Sequence, residues 1–354
     1  MPSGTHVAAA VEDALNRRLI SFLRNRGWRP RTIAHTGYGS PDFVRILGRV
    51  VMTRNPLPEA DAEADAPAKP VRGWRPYVTA PVGMIPVTVT VNGRDHHTRA
   101  DRGGYIDLSV PDHGLEPGWH QVTLRARAST PVPARVRIIS PRARVGLVSD
   151  IDDTVMITAV PRPLIAVWNT FVRHHSSRRV VPGMARFYRR VEEHVGDLPV
   201  FYLSTGAWNV VPAIAEFLHE HDYPFGPKLM TDWGPTNTGW FRSGREHKER
   251  TLRRLRTEFP HVHWVLVGDD GQRDPAIYAE FAQEFPEAVA AIAIRQLTPG
   301  EQILSHGTPV AIPETRRRSG DGGVPTSHGG DGVALAPRVV ATLRDQVPEP
   351  ASTG

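Results

Sequence analysis

The chain contains no cysteine, which excludes disulfides, thiolate metal sites and a cysteine nucleophile, and fits a reducing compartment. It also lacks any run of eighteen or more apolar residues, so no membrane-spanning helix is expected. A secretory leader is not expected either, because Glu12, Asp13, Arg17 and Arg18 interrupt the only N-terminal apolar stretch. These absences predict a cytoplasmic protein. Lysine is scarce as well, with three against forty arginines. The net charge of +6 and pI near 9.9 could signal an anionic-lipid or nucleic-acid surface. Because the arginines are scattered through the chain, the plainer reading is a coding bias toward arginine. With lysine this rare, a lysine at a motif position gains weight.

What is present is more specific. Asp150-Ile151-Asp152-Asp153-Thr154 follows the apolar run Val145-Gly146-Leu147-Val148, where a buried strand delivers carboxylates to a sheet edge. One carboxylate can attack phosphorus. A second, two residues on and on the same side of an extended chain, can handle the leaving-group proton. Asp150 is thus the candidate nucleophile and Asp152 the candidate acid/base, while the adjacent Asp153 should look the other way and serve only to cap or pair. Val200-Phe201-Tyr202-Leu203 is a second apolar strand and leads to Ser204. Lys248 opens a helical stretch. Trp264-Val265-Leu266-Val267 leads to Gly268-Asp269-Asp270-Gly271-Gln272-Arg273-Asp274.

These four strings, in this order, resemble the signature motifs of the haloacid-dehalogenase superfamily: Asp-x-Asp-x-Thr, a strand-end Ser or Thr, a Lys, and a Gly-Asp turn with a later Asp. The second Asp, Asp152, is similar to the phosphatases of that superfamily rather than to its ATPases or dehalogenases. A narrower likeness runs from Arg144 to about Arg295. Ser149 to Thr154, Asn169-Thr170-Phe171, Val181-Pro182-Gly183-Met184, Asp232-Trp233-Gly234, His247-Lys248 and Val267 to Pro275 look like the catalytic domain of the actin-patch-associated phosphatidate phosphatase family. Ser204-Thr205-Gly206-Ala207-Trp208 departs from that family, which more often has Pro before the Trp; this bears on substrate contacts and leaves the chemistry intact. The resemblance implies hydrolysis of a phosphate ester, with a lipid phosphate as substrate on family grounds alone.

The site expected from these residues has Asp150 and Asp152 as catalytic groups and Ser204, Lys248 and Thr154 on phosphate, Thr154 also steadying the loop. Metal contacts are expected from Asp150, the backbone carbonyl of Asp152, Asp269 and Asp274, with Asp269 the more direct ligand. Oxygen donors without cysteine or an ordered histidine cluster favour Mg²⁺ over zinc. Each role has a plainer alternative: an acidic helix cap for the Asp string, an N-cap before Val210 for Ser204, and a solvated helix-face residue for Lys248. Asp270, Asn209, His247 and Arg273 are nearby polar residues outside the core set. The stretch between Thr154 and Gly183, with Leu164 to Trp168 beside Arg173, His174, His175, Arg178 and Arg179, reads either as a lid meeting an anionic lipid interface or as a helix packed on the core.

The pattern along the chain predicts an α/β fold, a haloacid-dehalogenase-like parallel sheet with helices on both faces, preceded by an N-terminal helix and a small β-sandwich-like domain. Its expected parts are residues 1–30, the helix; 31–140, the β-domain; 141–300, the phosphatase domain; and 301–354, a mostly disordered tail. Pro56 to Pro70 reads as a solvated loop. The function expected is an Mg²⁺-dependent phosphatase acting through an aspartyl-phosphate, on phosphatidate or a related lipid, with peripheral contact to anionic membrane. A phosphatase of soluble esters, or an idle membrane- or protein-binding module, is the alternative. Nucleic acid is not expected as a partner, for want of a recognisable module.

Overall fold

The computed structural model describes Arg18 and residues 20–54, 80–127, 129–157, 179–231, 244–271, 273–306 and 323–346. Most of the expected N-terminal helix, the Pro56 to Pro70 loop, residues 158–178 of the insertion and Asp232-Trp233-Gly234 lie outside the described residues. The chain divides into two compact units, Met1–Ile139 with Asp232–Arg242, and Ser140–Thr231 with Ser243–Gly354.

Apart from a helical stretch over residues 20–25, the described part of the first unit is built of strands. Its strands are β1 (Arg29–Ser40), β2 (Phe43–Thr53), β3 (Ala80–Pro81), β4 (Pro86–Val91), β5 (Arg94–Arg99), β6 (Tyr105–Pro111), β7 (Gly118–Ala126) and β8 (Val132–Ile138). Expected as a small β-sandwich, they are hydrogen-bonded into one eight-stranded sheet of order β3-β2-β1-β8-β7-β4-β5, with β6 paired to β2. Alternation places Val87, Val89 and Val91 inward with Thr88 and Thr90 between them, and the inward residues of β2, β4, β6, β7 and β8 share one core. Asn92 and Gly93 both take positive φ, 46° and 74°, which matches the twist of the β4–β5 hairpin they close. Three strands, β1, the two-residue β3 and β5, were not legible. β5 reads Arg-Asp-His-His-Thr-Arg, an edge strand with no buried residue, and β1 is broken by polar residues and glycine.

The second unit alternates strands and helices: β9 (Val145–Asp150), α1 (Met184–Val195), β12 (Val200–Ala207), α2 (Val211–Glu220), β13 (Lys228–Thr231), α3 (Gly244–Glu258), β14 (His263–Asp269), α4 (Asp274–Glu284) and β15 (Val289–Arg295). A short antiparallel pair, β10 (Met156–Ile157) with β11 (Arg179–Val180), flanks the insertion. With β16 (Thr326–Gly329), the six-stranded sheet has the order β13-β12-β9-β14-β15-β16, and every neighbouring pair is parallel. Counted along this unit, that is 3-2-1-4-5-6: the chain winds outward from β9, returns, and winds the other way from β14. A crevice opens outside the carboxyl ends of the strands where the winding reverses, and ligands of such sheets bind there. β9 and β14, which flank that point, are the strands carrying the acidic motifs.

The expectation of a mostly disordered tail after Pro299 is corrected. The chain continues as α5 (Pro299–His306), then β16 (Thr326–Gly329) and α6 (Gly332–Gln346). β16, Thr-Ser-His-Gly, has no apolar residue to announce it; parallel pairing with β15 orders it. α6 carries Pro337, which obscures the helix, yet it buries Leu335, Val339 and Leu343 at four-residue spacing. It packs on α1 through a glycine contact, with the Gly332 N–H donating to the Pro182 carbonyl at 3.0 Å. A Cβ on Gly332 would stand 2.3 Å from the Gly183 backbone. Leu343→Ala is therefore expected to cost about 2–5 kcal/mol, seen as a lower urea midpoint for this unit; an unchanged midpoint would mean that α6 is dispensable.

Candidate active site

Asp150 ends β9, in register with Leu203 of β12, and Asp269 ends β14 one strand over. Hydrophobic burial of these strands fixes where their last residues lie, so the carboxylates emerge at one sheet edge. Lys248, on the first turns of α3, reaches that edge from the side. Its ammonium donates to Asp150 Oδ1 at 2.6 Å and to Asp274 Oδ1 at 2.5 Å, and its side chain is 2% exposed. The alternative of a solvated helix-face lysine is excluded by that burial. Asp274 opens α4, where the helix dipole favours an acid. Gly268 makes the approach possible, because a Cβ there would meet Asp274 Oδ2 at 2.5 Å.

Ligand atoms of Asp150, Asp269 and Asp274 lie within 4.8 Å of one another, all buried. Three carboxylates thus face one ammonium. Burial pushes the Asp150 carboxyl well above its ordinary value; Lys248 opposes that shift, and Asp274 and Asp152 add to it. Asp269 is pushed up in the same way, by burial first and then by Asp274, Asp150 and Asp153. Burial alone would strip the proton from Lys248, but Asp150 and Asp274 outweigh it and hold the ammonium more firmly than in an ordinary lysine. Asp269 Oδ2 and Asp274 Oδ2 have no hydrogen-bond partner among the described residues. Hard oxygen donors, excess negative charge and orphaned buried oxygens together fit a divalent cation such as Mg²⁺.

The other expected residues fall around this cluster. Ser204 is fully buried, donates from Oγ to Asp152 Oδ2 at 3.1 Å and accepts the Gly206 N–H at 2.9 Å. It lies within β12, and α2 begins only at Val211 after a short 3₁₀ turn, so Ser204 is not its N-cap. Thr154, expected on phosphate, is fully buried and gives its hydroxyl to Asp150 Oδ2 at 3.3 Å, which holds the carboxylate's orientation. Asp152 stands beside the carboxylate triad, its side chain turned to Ser204. Asp153, expected to look away, is buried, and its charge bears on Asp269. Asp270 braces the loop by accepting the Leu297 N–H at 2.8 Å. His247 lies against the Leu229 carbonyl at 3.4 Å, and burial lowers its pKa to about 4, so it is neutral. Arg273 takes the N-cap position of α4, and the Asn209 side chain lies outside the described residues.

Two contributors were not found from sequence. Tyr188 of α1 shares a 2.6 Å hydrogen bond with Ser149, next to the nucleophile position. Arg295, which ends β15, is buried beneath the Asp152-Asp153 loop. The one signal for Arg295 was a charged residue closing the apolar run Val289 to Ile294.

Residues 145–296 match the family described as "Phosphatidate phosphatase APP1, catalytic domain". Over 152 residues the chain is 27% identical to phosphatidate phosphatase APP1 of Saccharomyces cerevisiae, covering 43% of this chain and 26% of that protein. An uncharacterized protein of Schizosaccharomyces pombe is 25% identical over 157 residues, 44% of this chain and 26% of its own. The chain thus spans about a quarter of the length of these relatives. A carbohydrate acetylesterase from Xanthomonas citri superposes with a TM-score of 0.29 at 11% identity, over 87% of this chain and 72% of its own, a likeness too weak to carry an argument. The matched segment begins at β9 and closes one residue after β15, so it contains Asp150, Asp152, Ser204, Lys248, Asp269 and Asp274. Through residues 145–296, under half of its length, the chain is similar to the catalytic domain of phosphatidate phosphatase APP1.

Proposed function

We propose that the protein is an Mg²⁺-dependent phosphatase of haloacid-dehalogenase-like architecture that removes phosphate from phosphatidate or a related lipid phosphate through an aspartyl-phosphate. The observation that carries this reading is the Asp150 carboxylate, buried at the strand end, held by Lys248 and faced by Asp269 and Asp274. A carboxylate so placed is oriented for in-line attack. Asp150, Asp269 and Asp274, with the backbone carbonyl of Asp152, would hold the cation. When bound, Mg²⁺ supplies the positive charge that keeps three carboxylates ionised and offsets the phosphoryl oxygens.

An Asp150 oxygen bonds to phosphorus as the phosphorus–alkoxide bond breaks. Asp152, already hydrogen-bonded to Ser204, gives its proton to the alkoxide and later takes one from the water that attacks the acyl-phosphate, which restores Asp150 and frees inorganic phosphate. Ser204 and Lys248 contact the phosphoryl oxygens, and Thr154 keeps the Asp150 carboxylate from rotating.

The lipid substrate is inferred from the similarity to the phosphatidate phosphatase of Saccharomyces cerevisiae. No helix among the described residues is long and apolar enough to cross a membrane; the lipid is proposed to be met at a membrane surface. The arginines of α3 do not form that surface. Arg245, Arg253 and Arg256 pair with Glu280, Glu284 and Glu287, and Arg250 with Glu246, which neutralises that face.

The reading is tested by Mg²⁺-dependent phosphate release from phosphatidate in mixed micelles, beside a panel of soluble phosphate esters. Turnover of the lipid is expected; turnover of soluble esters alone would discard the lipid, and none at all would favour a binding module. In the same assay Asp150→Asn is expected to lower kcat by about 10³-fold or more. Asp152→Asn should lower kcat by about 10²- to 10⁴-fold with little change in KM; an unchanged kcat in Asp150→Asn would remove it as nucleophile, and an unchanged kcat in Asp152→Asn would remove it as acid/base. Raised carboxyl pKa values mean that Asp150 and Asp269 favour the fold while protonated, and that this contribution is lost as pH rises through the folded-state values. A cation replaces those protons. Mg²⁺ at a hundredfold excess over its Kd should then raise Tm by roughly 5–10 °C at pH 7.5, and by less at pH 5.5; a shift that is absent, or larger at the lower pH, would remove the metal from the triad.

A further inference from the structure

Arg295 ends β15 one strand beyond the acidic turn, and its guanidinium is almost wholly removed from water, at 3% exposure. Such a group is stable only when its donors are matched. Nη1 donates to the Asp153 carbonyl at 2.7 Å, Nη2 to Glu301 Oε1 at 2.7 Å and Nε to the Gly330 carbonyl at 3.3 Å. Three separate segments, the loop after β9, α5 and the β16–α6 turn, thus meet on one side chain.

Each end of this contact is itself fixed. Asp153 has φ of 58°, a left-handed conformation unfavourable for a residue with a Cβ, and its N–H donates to the Met156 carbonyl at 2.8 Å. At the other end Glu301 closes a capping box: the Thr298 N–H donates to Glu301 Oε2 at 2.8 Å, and the Glu301 N–H to Thr298 Oγ1 at 3.4 Å. The Asp270 N–H donates to the Arg295 carbonyl at 3.0 Å, so the acidic turn is tied to the same strand end.

We propose that Arg295 is a positioning residue: by gripping the Asp153 carbonyl it holds the left-handed corner that aims Asp152 at Ser204 and the reacting phosphate. This rests on the phosphatase reading for its catalytic consequence. Two of its three partners, Glu301 and Gly330, lie beyond the segment matched to the family, so the residues after 296 complete the support of the active-site loop.

The test compares wild type, Arg295→Met and Glu301→Gln by steady-state kinetics and by amide hydrogen exchange across residues 151–157. Arg295→Met is expected to lower kcat by about 10- to 100-fold with KM within about threefold, and to speed exchange at the Asp153 amide about tenfold or more. Glu301→Gln keeps the cap, since its amide oxygen still accepts from Thr298, and is expected to move both readouts the same way but less; it decides the matter if Arg295→Met fails to fold. Loss of kcat with unchanged exchange would overturn positioning through the loop, as would unchanged values of both. If the wild type releases no phosphate, the phosphatase reading falls by itself, and the exchange data alone uphold or overturn the clamp.

Discussion

A single buried ammonium shared between Asp150 and Asp274 organises the α/β unit. Lys248 arrives from α3, Asp150 from the end of β9 and Asp274 from the start of α4, so one charge ties three elements together in a place that water does not reach. An unpaired charge there would be strongly unfavourable, which makes the arrangement close to all-or-none. With Asp269 the cluster carries more negative than positive charge, and the structure leaves that excess at the mouth of the sheet's crevice. In this sense the site is prepared for cationic charge before any substrate arrives.

The fold supplies the geometry by general means. Six parallel strands with reversed winding around β9 and β14 open one crevice, and hydrophobic burial fixes where each strand stops. Glycine does the fine adjustment: Gly268 has no side chain where Asp274 must approach, and Gly332 allows α6 to lie on α1. The surroundings hold orientation as well as position. Thr154 fixes one Asp150 oxygen while Lys248 takes the other, and Ser204 engages Asp152. A carboxylate with both oxygens engaged cannot swing away from the line of attack.

Much of this unit was legible because its signals are local. Val145-Gly146-Leu147-Val148 and Val200-Phe201-Tyr202-Leu203 are apolar runs bounded by polar residues, and the helices that the periodicity predicts at about Met184 to His194, Val210 to His221, Arg245 to Phe259 and Pro275 to Phe285 correspond to α1 to α4. What was illegible depends on partners distant in sequence. β16 is polar and takes its form from β15; β5 is a polar edge strand; Arg295 gains meaning only where the chain folds the Asp153 carbonyl onto it, 142 residues away. Asp274 shares Lys248 directly with Asp150, a contact between α3 and α4 that motif spacing does not specify. Asp153 obeyed tertiary context over strand alternation, since a left-handed corner ends the alternation that would have turned it away.

Asp150 is proposed to carry the phosphoryl group during turnover. The most direct measurement is acid quench of the protein turning over phosphate-labelled phosphatidate with Mg²⁺, followed by mapping of the labelled peptide. An acid-stable, base-labile label is expected on the peptide bearing Asp150. Phosphate release without label on that peptide, or label on another residue, would contradict it.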